Sequence, residues 1–234
     1  GYKNQWRGGE YGSYFQTCQC LLLSVLYRAM KKNIYGLVLA AGLSQRMGTP
    51  KQLLPFGTKT VLQTVVDVIL TFDLVDVIVV LGHEAERVQE SLGGRDVTCC
   101  YNADYKEGMF SSVLCGVLAI PKTADAMMMA LGDQPHIDAR VGRAVMDAYQ
   151  YGPAGIVIPI WDGKRGHPAV VDMRRYRDKI VSLSGEEGLK PVMRGYTDDT
   201  LELQVDDAGI LRDLDTPEDY RLELERQRNR RIDE

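Results

Sequence analysis

Short continuous apolar runs alternate with segments of helical periodicity along most of this chain. Ile34–Ala40 is the first such run, and it is typical of a parallel strand that is buried on both faces. Apolar residues then recur at helical spacing between Val61 and Leu70, and a second buried run, Val75–Leu81, follows. Repeated strand–helix units predict an α/β fold of three layers, with a mainly parallel sheet between two layers of helices.

The same alternation continues almost to the C-terminus. Asp138 is a candidate N-cap, and Thr216 followed by Pro217 has the N-cap and first-turn residues typical of a final helix. The Met127–Met129 cluster is expected to fill the core. The other predicted strands are Val97–Tyr101, Ala126–Leu131, Ile156–Ile160, Ala169–Asp172 and Leu201–Val205, and the other predicted helices are Glu84–Leu92, Ser112–Ile120, Asp138 to about Tyr149, Leu189–Arg194 and Pro217 to about Arg228.

The pattern predicts one domain over residues 34–228, with an extension, residues 1–33, before it and a tail, residues 229–234, after it. Residues 1–29 are rich in Gly, Tyr and polar side chains, and Met30 precedes a polar lead-in to the first strand. We expect residues 1–29 to be upstream or added sequence outside the native domain. The alternative, a genuine extension that packs through the leucines of Leu21–Leu26, stays open.

Composition excludes several classes of function. The net charge of -4 argues against a nucleic-acid partner, which usually needs a basic face. Leu21–Leu26 is too short to span a bilayer, so no membrane partner is expected. The five cysteines complete no zinc-ligand spacing, and free thiols in a reducing cytoplasm are the expected state.

A loop of small residues with two cations follows the first strand. In open α/β sheets ligands bind beyond the carboxyl ends of strands, and small residues such as Gly42 let backbone amides approach phosphates. Arg46 can fork onto phosphate oxygens, and Lys51 can place a charge near the α-phosphate of a nucleotide. Neither the P-loop pattern nor G-x-G-x-x-G is present. A plain loop with solvated cations is the simpler alternative, which the spacing of Arg46 and Lys51 disfavours.

Two acidic motifs are candidates for binding Mg²⁺, which prefers oxygen ligands. Asp133, in Leu-Gly-Asp-Gln-Pro, follows a buried strand, and Asp213 and Asp215 precede the last helix. Turn formation by Asp133 and helix-terminal electrostatics for Asp215 are the structural alternatives. Asp213 is close enough in sequence to compete with Asp215 for the role of second ligand.

The run from Leu39 to Leu54 resembles the L-A-A-G-x-S-x-R-M-G-x-x-K-x-L-L signature of Rossmann-like nucleotidyltransferases. Among these, residues Ile34 to about Arg228 resemble most closely the molybdenum cofactor cytidylyltransferases. The resemblance implies Mg²⁺-dependent transfer of CMP from CTP to molybdopterin, giving molybdopterin cytosine dinucleotide and pyrophosphate. It makes CTP and a molybdopterin-type cofactor the expected partners, and leaves a client molybdoenzyme open as another.

The resemblance also implies roles for individual residues. Arg46 and Lys51 are expected to be catalytic, and Asp133 and Asp215 to bind the metal. Arg165 and His167 are expected on the acceptor side, although a lone histidine is often structural. The expected nucleotide-binding residues, some of which are equally explained as helix caps or loop residues, are Leu39, Ala40, Ala41, Gly42, Ser44, Gly82, His83, Asn102 and Ser112.

Position 41 bears on which base is read. The resembled cytidylyltransferases carry Ala-Ala-Gly here, and the related guanylyltransferases typically carry Ala-Gly-Gly, so Ala41 favours cytosine. A guanylyltransferase or sugar-phosphate nucleotidyltransferase of the same fold is one alternative. A non-catalytic nucleotide- or cofactor-binding chaperone for a molybdoenzyme is another, and the joint presence of Arg46, Lys51, Asp133 and Asp215 argues against it.

Overall fold

The computed structural model describes residues 31–185 and 188–230. The predicted extension lies almost wholly outside these residues, as does most of the predicted tail, so both domain boundaries stay predictions. Within residues 31–185 and 188–230, no helix has the length and apolar character needed to cross a membrane.

The helices and strands follow the predicted order, with most boundaries within three residues of those predicted. The strands are β1 (Ile34–Leu39), β2 (Pro55–Phe56), β3 (Lys59–Thr60), β4 (Val77–Leu81), β5 (Thr98–Tyr101), β6 (Ala126–Leu131), β7 (Ile156–Trp161), β8 (Lys164–Arg165), β9 (Ala169–Asp172) and β10 (Thr200–Gln204). The α-helices are α1 (Val61–Ile69), α2 (Ala85–Ser91), α3 (Met109–Ala119), α4 (Ala139–Tyr151), α5 (Met173–Ser182), α6 (Lys190–Gly195) and α7 (Pro217–Arg230).

One mixed, mostly parallel sheet forms the centre of the fold, which confirms the predicted class. Its order is β10-β7-β9-β6-β1-β4-β5, and β8 pairs with β7 at one end. Strands β5, β4, β1 and β6 are parallel, whereas β9 runs antiparallel to both β6 and β7. Because the chain moves outward from β1 to β5 and then returns to the other side of β1 as β6, a crevice opens where β1 and β6 end.

Alternate residues of the central strands supply two hydrophobic layers. Val38 and Met128 belong to one layer, which also contains Leu62 of α1 and Tyr149 of α4. Leu37 and Met127 face the opposite way, toward the layer formed with α3, α5 and α6. Each of these six side chains is no more than 2% exposed. Their division between two layers confirms the three-layer arrangement, and the burial of Met127 and Met128 confirms that the methionines fill the core.

Short polar side chains fix where several helices begin. Thr60 Oγ1 accepts from the Gln63 amide, while Gln63 Oε1 accepts from the Thr60 amide, a reciprocal capping box for α1. Asp138 accepts from the Arg140 amide at 2.7 Å, which confirms the predicted cap of α4. Thr216 Oγ1 accepts from the Asp219 amide at 3.2 Å and so caps the last helix as predicted.

Helix α5 and the β2–β3 hairpin were not predicted. α5 buries only Met173, Tyr176 and Ile180 along a strongly charged segment, so its apolar stripe is narrow. The hairpin strands contain two residues each, which is too few to show a periodicity.

Candidate active site

The two acidic motifs and the glycine loop meet at the carboxyl ends of β1 and β6. These strands are adjacent, and the pairing of Leu39 with Leu131 brings their last residues level. The Gly132 amide donates to the Leu39 carbonyl at 2.9 Å, which continues the ladder one step into the loops. Asp133 therefore projects from the loop that faces the glycine loop.

Lys51 lies between the carboxylates of Asp133 and Asp215. Its Nζ donates to Asp133 Oδ2 in a short ion pair and to Asp215 Oδ1 at 3.2 Å. Arg46 pairs with the other oxygen of Asp215 at 2.8 Å. The side chains of Lys51 and Asp133 are 14% exposed, whereas that of Arg46 is 66% exposed, so the cluster runs from a partly buried ammonium to a solvent-facing guanidinium.

The cluster favours the charged forms of Lys51 and Asp215. Burial acts to lower the pKa of Lys51, but Asp133 and Asp215 outweigh it and raise that pKa above its usual value. Burial acts to raise the pKa of Asp215, and the contacts with Lys51 and Arg46 reverse the effect, so that this pKa lies below its usual value. At neutral pH Lys51 and Asp215 therefore carry opposite charges at close range.

Asp213 and Asp215 have different surroundings. Asp213 accepts from Gln134 Nε2 at 2.6 Å, and burial raises the pKa of its carboxyl group. Asp215 instead contacts the cluster cations directly. The Leu214 amide, between these two residues, donates to the Asp133 carbonyl at 3.1 Å and holds the two acidic segments together. Of the two candidates, Asp215 is the one that shares a cation with Asp133.

The carboxylate pair fits a divalent cation of the magnesium type. Asp133 and Asp215 already share one cationic group, the Lys51 ammonium, so their oxygens converge on a position where positive charge is favoured. Among residues 31–185 and 188–230, no set of three or more His, Cys, Asp or Glu side chains could hold a metal by itself. Mg²⁺ commonly takes one or two carboxylates and completes its shell with phosphates and water, so a pair is sufficient.

Small residues keep the crevice open. A Cβ on Gly82 would lie 2.6 Å from Tyr105 Cβ and 2.8 Å from Ala41 Cβ, so no larger side chain fits there without a shift. The His83 amide donates to the Ala41 carbonyl at 3.2 Å, which joins the loops after β1 and β4. Ser44 Oγ accepts from the Lys51 amide at 3.0 Å and folds the glycine loop back on itself.

A cavity of about 390 Å³ lies over the cluster. Tyr105, Lys106 and Met109 also line it. They belong to the stretch Asn102–Val113, which resembles the family segment over the base and ribose, but none of the three was predicted individually as a binding residue. The predicted residues in its wall are Leu39, Ala41, Gly42, Arg46, Lys51, Ser112, Asp133 and Asp215.

Other predicted nucleotide-binding residues lie beside this cavity rather than in its wall. Ala40 is 2% exposed and packs in the core, and Ser44, Gly82 and His83 act through the loop contacts described above. Asn102 is buried, and its Nδ2 donates to Ser112 Oγ at 3.0 Å and to Ser111 Oγ at 2.9 Å. Asn102 therefore orients Ser112, which itself reaches the cavity.

A second cavity, of about 450 Å³, adjoins the first at Gly108 and Met109, which line both. Arg165 and His167 line it, as predicted for acceptor-side residues, although their roles stay predictions. Arg165 is not a free cation, because its guanidinium pairs with Glu202 and donates to the Met193 carbonyl. Burial lowers the pKa of His167, so its ring is neutral at pH 7.

The second cavity also has features that the sequence did not signal. Apolar side chains, including Phe110, Met129 and Ile158, form much of its wall. Lys190 and Arg194 of α6 contribute cations to the same wall. The cavity therefore suits a ligand that combines an apolar or flat body with an anionic group.

Comparison with known proteins agrees with this geometry. The chain is 27% identical to the molybdenum cofactor cytidylyltransferase of Escherichia coli over 191 residues, covering 81% of this chain and 95% of that protein. It is 30% identical over 203 residues to the nicotine blue oxidoreductase of Paenarthrobacter nicotinovorans, covering 81% and 96%. The crystal structure of Rv0371c from Mycobacterium tuberculosis superposes with a TM-score of 0.75 at 30% identity, covering 83% and 98%.

That mycobacterial protein has also been solved as a complex with manganese, which superposes with a TM-score of 0.71 at 28% identity. Residues 36–201, well over half of the chain, match the family described as the MobA-like NTP transferase domain. The glycine loop, the two cations and the facing carboxylates lie in one crevice of a sheet of the predicted type. The chain belongs to this family of nucleotidyltransferases.

Proposed function

We propose that this protein transfers CMP from CTP to a molybdopterin cofactor, forming molybdopterin cytosine dinucleotide and releasing pyrophosphate. The observation that carries the proposal is the convergence of Lys51 and Arg46 with Asp133 and Asp215 at the ends of β1 and β6. Cations for a triphosphate and carboxylates for its counter-ion are what nucleotidyl transfer requires. The cytidylyltransferase relative of Escherichia coli supports the choice of base and acceptor.

In the proposed reaction the terminal phosphate of the acceptor attacks the α-phosphorus of CTP in line, and pyrophosphate leaves. That phosphate is ionised at neutral pH, so no residue has to act as a general base. Lys51 would turn from the carboxylates to the α-phosphate, and Arg46, being exposed, can reach the β- and γ-phosphates. Asp133 and Asp215 would hold Mg²⁺, which when bound neutralises phosphate charge.

The two adjoining cavities support separate binding sites for the two substrates. CTP would occupy the cavity over the Lys51 cluster, and the acceptor the one lined by Arg165 and His167. The apolar wall formed by Phe110, Met129 and Ile158 favours a flat ring system over a sugar phosphate, whose surface is covered with hydroxyl groups. His167, being neutral, would serve the acceptor as a hydrogen-bonding group and not as a counter-charge.

A pyrophosphate-release assay tests the proposal. Each of CTP, GTP, ATP and UTP is supplied together with Mg²⁺. Each nucleotide is tested with molybdopterin as acceptor, with a hexose 1-phosphate as acceptor, and without an acceptor. We expect release to be fastest with CTP and molybdopterin together. Preference for GTP would indicate a guanylyltransferase, and preference for the hexose phosphate a sugar-phosphate nucleotidyltransferase.

Pyrophosphate release with none of these pairs would contradict catalysis and favour the chaperone alternative. We also propose that the reaction takes place in the cytoplasm and that its product passes to a client molybdoenzyme. The relative named nicotine blue oxidoreductase points to a different activity. The carboxylate pair facing Lys51 is the reason to favour transfer here.

A further inference from the structure

Two thiols beside the nucleotide cavity lie in contact. Cys100 belongs to β5 and Cys115 to α3, and both are partly buried and free. Their sulfur atoms are 3.8 Å apart, and Cys115 Sγ also lies 3.6 Å from the Tyr101 carbonyl oxygen. Because a disulfide bond is about 2.05 Å long, the sulfurs need to approach by less than about 2 Å.

The segment between these cysteines forms one wall of the nucleotide cavity. It contains Asn102, which orients Ser111 and Ser112 at the start of α3. The residues of this segment that line the cavity are Tyr105, Lys106, Gly108, Met109 and Ser112. A covalent bond between Cys100 and Cys115 would close this segment into a loop anchored at both ends.

We propose that Cys100 and Cys115 form a reversible disulfide that restrains the cavity wall formed by residues 101–114. Closing a loop removes conformations that the segment could otherwise visit. The cross-link itself is independent of the enzyme's reaction. Its consequence, slower exchange of nucleotide, rests on the proposed function.

The chemistry balances with oxidised glutathione as the oxidant. A thiolate of one cysteine attacks a sulfur of glutathione disulfide and expels one glutathione thiolate. The second cysteine then attacks the resulting mixed disulfide, so the protein disulfide forms and a second glutathione leaves. Two protein thiols are thereby oxidised and one glutathione disulfide is reduced to two thiols, which take up, through solvent, the two protons that the cysteines lose.

The surroundings indicate the order and the rate of these steps. Burial, with Cys115 as the next contribution, raises the pKa of Cys100 to about 12, so its thiolate is scarce near neutral pH. We therefore expect Cys115 to react with glutathione first and Cys100 to resolve the mixed disulfide. The reaction should accelerate as pH rises.

Cys99 provides a control within the same strand. Successive strand residues point to opposite faces of a sheet. Cys99 packs against the layer that contains Val38, whereas Cys100 packs against the layer that contains Leu37 and Cys115. A cysteine one residue away thus faces away from the proposed partner, and Cys99→Ser should leave the cross-link intact.

Tryptic peptide mapping reads the bond directly. The full chain is incubated with oxidised glutathione at pH 8.5, alkylated and digested. Cys99 and Cys100 lie in peptide 96–106, Cys115 in peptide 107–122, and the remaining cysteines, Cys18 and Cys20, in peptide 8–28. We expect peptide 96–106 joined to 107–122, reversed by dithiothreitol, in the parent and in Cys99→Ser but not in Cys100→Ser or Cys115→Ser.

Hydrogen exchange without nucleotide reports the restraint. Amides of residues 102–112 should exchange roughly tenfold more slowly after oxidation of the parent protein. In Cys115→Ser, oxidation should leave their exchange rates unchanged. Absence of the cross-linked peptide, or its loss in Cys99→Ser, would overturn the proposed pair. Cross-linking with no change in exchange would overturn the restraint. Release of labelled CTP is measured separately, so a protein that cross-links but binds no CTP would contradict the proposed function alone.

Discussion

Gln134 donates its side-chain amide to Asp213 at 2.6 Å, which ties the loop after β6 to the segment that leads into α7. The same side chain also donates to the Ile210 carbonyl at 3.3 Å. Gln134 is 2% exposed, so these bonds are shielded from water. Through them the position of Asp215 depends on a residue next to Asp133, although the two carboxylates are 82 residues apart in sequence.

Asp133→Ala should abolish turnover and leave the fold intact, because it removes one of the two carboxylates that converge on Lys51. Asp133→Asn should also be severely impaired, since a neutral amide is a poor ligand for Mg²⁺. Pyrophosphate release across a Mg²⁺ titration measures the effect. Asp198→Asn, at an exposed carboxyl group, is the control, and near-parent rates in both Asp133 variants would exclude the metal role.

Lys51→Ala and Arg46→Ala should each lower the rate of transfer by roughly 10²-fold or more, as for the loss of a group that stabilises transition-state charge. Arg46→Lys should not restore the full rate, because an ammonium cannot form the two parallel bonds of a guanidinium. Single-turnover kinetics with saturating CTP isolate the chemical step. Lys122→Ala changes an exposed cation and should match the parent. Normal rates in both alanine variants would place the triphosphate elsewhere.

Ala41→Gly should narrow the preference for CTP over GTP without inverting it. Ala41 lines the cavity, and one methyl group in a pocket contributes roughly 1–3 kcal/mol to discrimination. Competition between the two nucleotides, with molybdopterin as acceptor, gives the ratio of specificity constants. Ala40→Gly is a matched control, since Ala40 is buried in the core and should change stability but not the ratio. A parent enzyme that prefers GTP would refute the cytidylyl assignment.

Glu223→Gln should destabilise the protein by about 3 kcal/mol at pH 7, because it removes a buried carboxylate that pairs with Arg212 and Arg226. Glu223 is 2% exposed and contacts His136 at 2.5 Å, together with Arg212 and Arg226. Burial acts to raise the pKa of Glu223, but these contacts bring that pKa below its usual range. Denaturant unfolding at several pH values measures the effect.

The sign of the pH dependence follows from that lowered pKa. The stabilisation by Glu223 is fully present above the pKa of an unfolded glutamate, about 4.3, and is lost as pH falls through the lower folded value. The difference between parent and Glu223→Gln should therefore shrink in acid. Glu225→Gln, at an exposed pair with Arg221, should stay within about 0.5 kcal/mol. An equal cost for Glu223→Gln at pH 7 and pH 3 would show that charge is not the cause.

Features carried by local pattern could be predicted from the sequence. Leu39 and Leu131 each end a buried apolar run, so the glycine loop and Asp133 could be placed at the same edge of a parallel sheet. The choice of Asp215 over Asp213 came from the family resemblance, because the local pattern before the last helix fits either carboxylate. The α5 segment was missed because its buried residues, Met173, Tyr176 and Ile180, are outnumbered by charges that face solvent.

Contacts that depend on how elements pack could not be predicted in the same way. The hydrogen bond from Asn102 to Ser112 and the contact of Cys100 with Cys115 both require the position of α3 against β5. The engagement of Arg165 by Glu202 needs the pairing of β7 with both β8 and β10. Periodicity reports which face of an element is buried, but not which side chains meet across it.

The reversed strand β9 has a consequence for which segments of the chain would contact each proposed substrate. Because β9 runs against its neighbours, β7 ends and β9 begins at the same edge, and the short connection that contains β8 reaches the second cavity, where the acceptor is proposed to bind. In the proposed reaction the triphosphate would instead meet the loops after β1 and β6. If the substrates bind as proposed, a change confined to the β7–β9 connection should alter acceptor binding and leave the phosphate-binding loops in place.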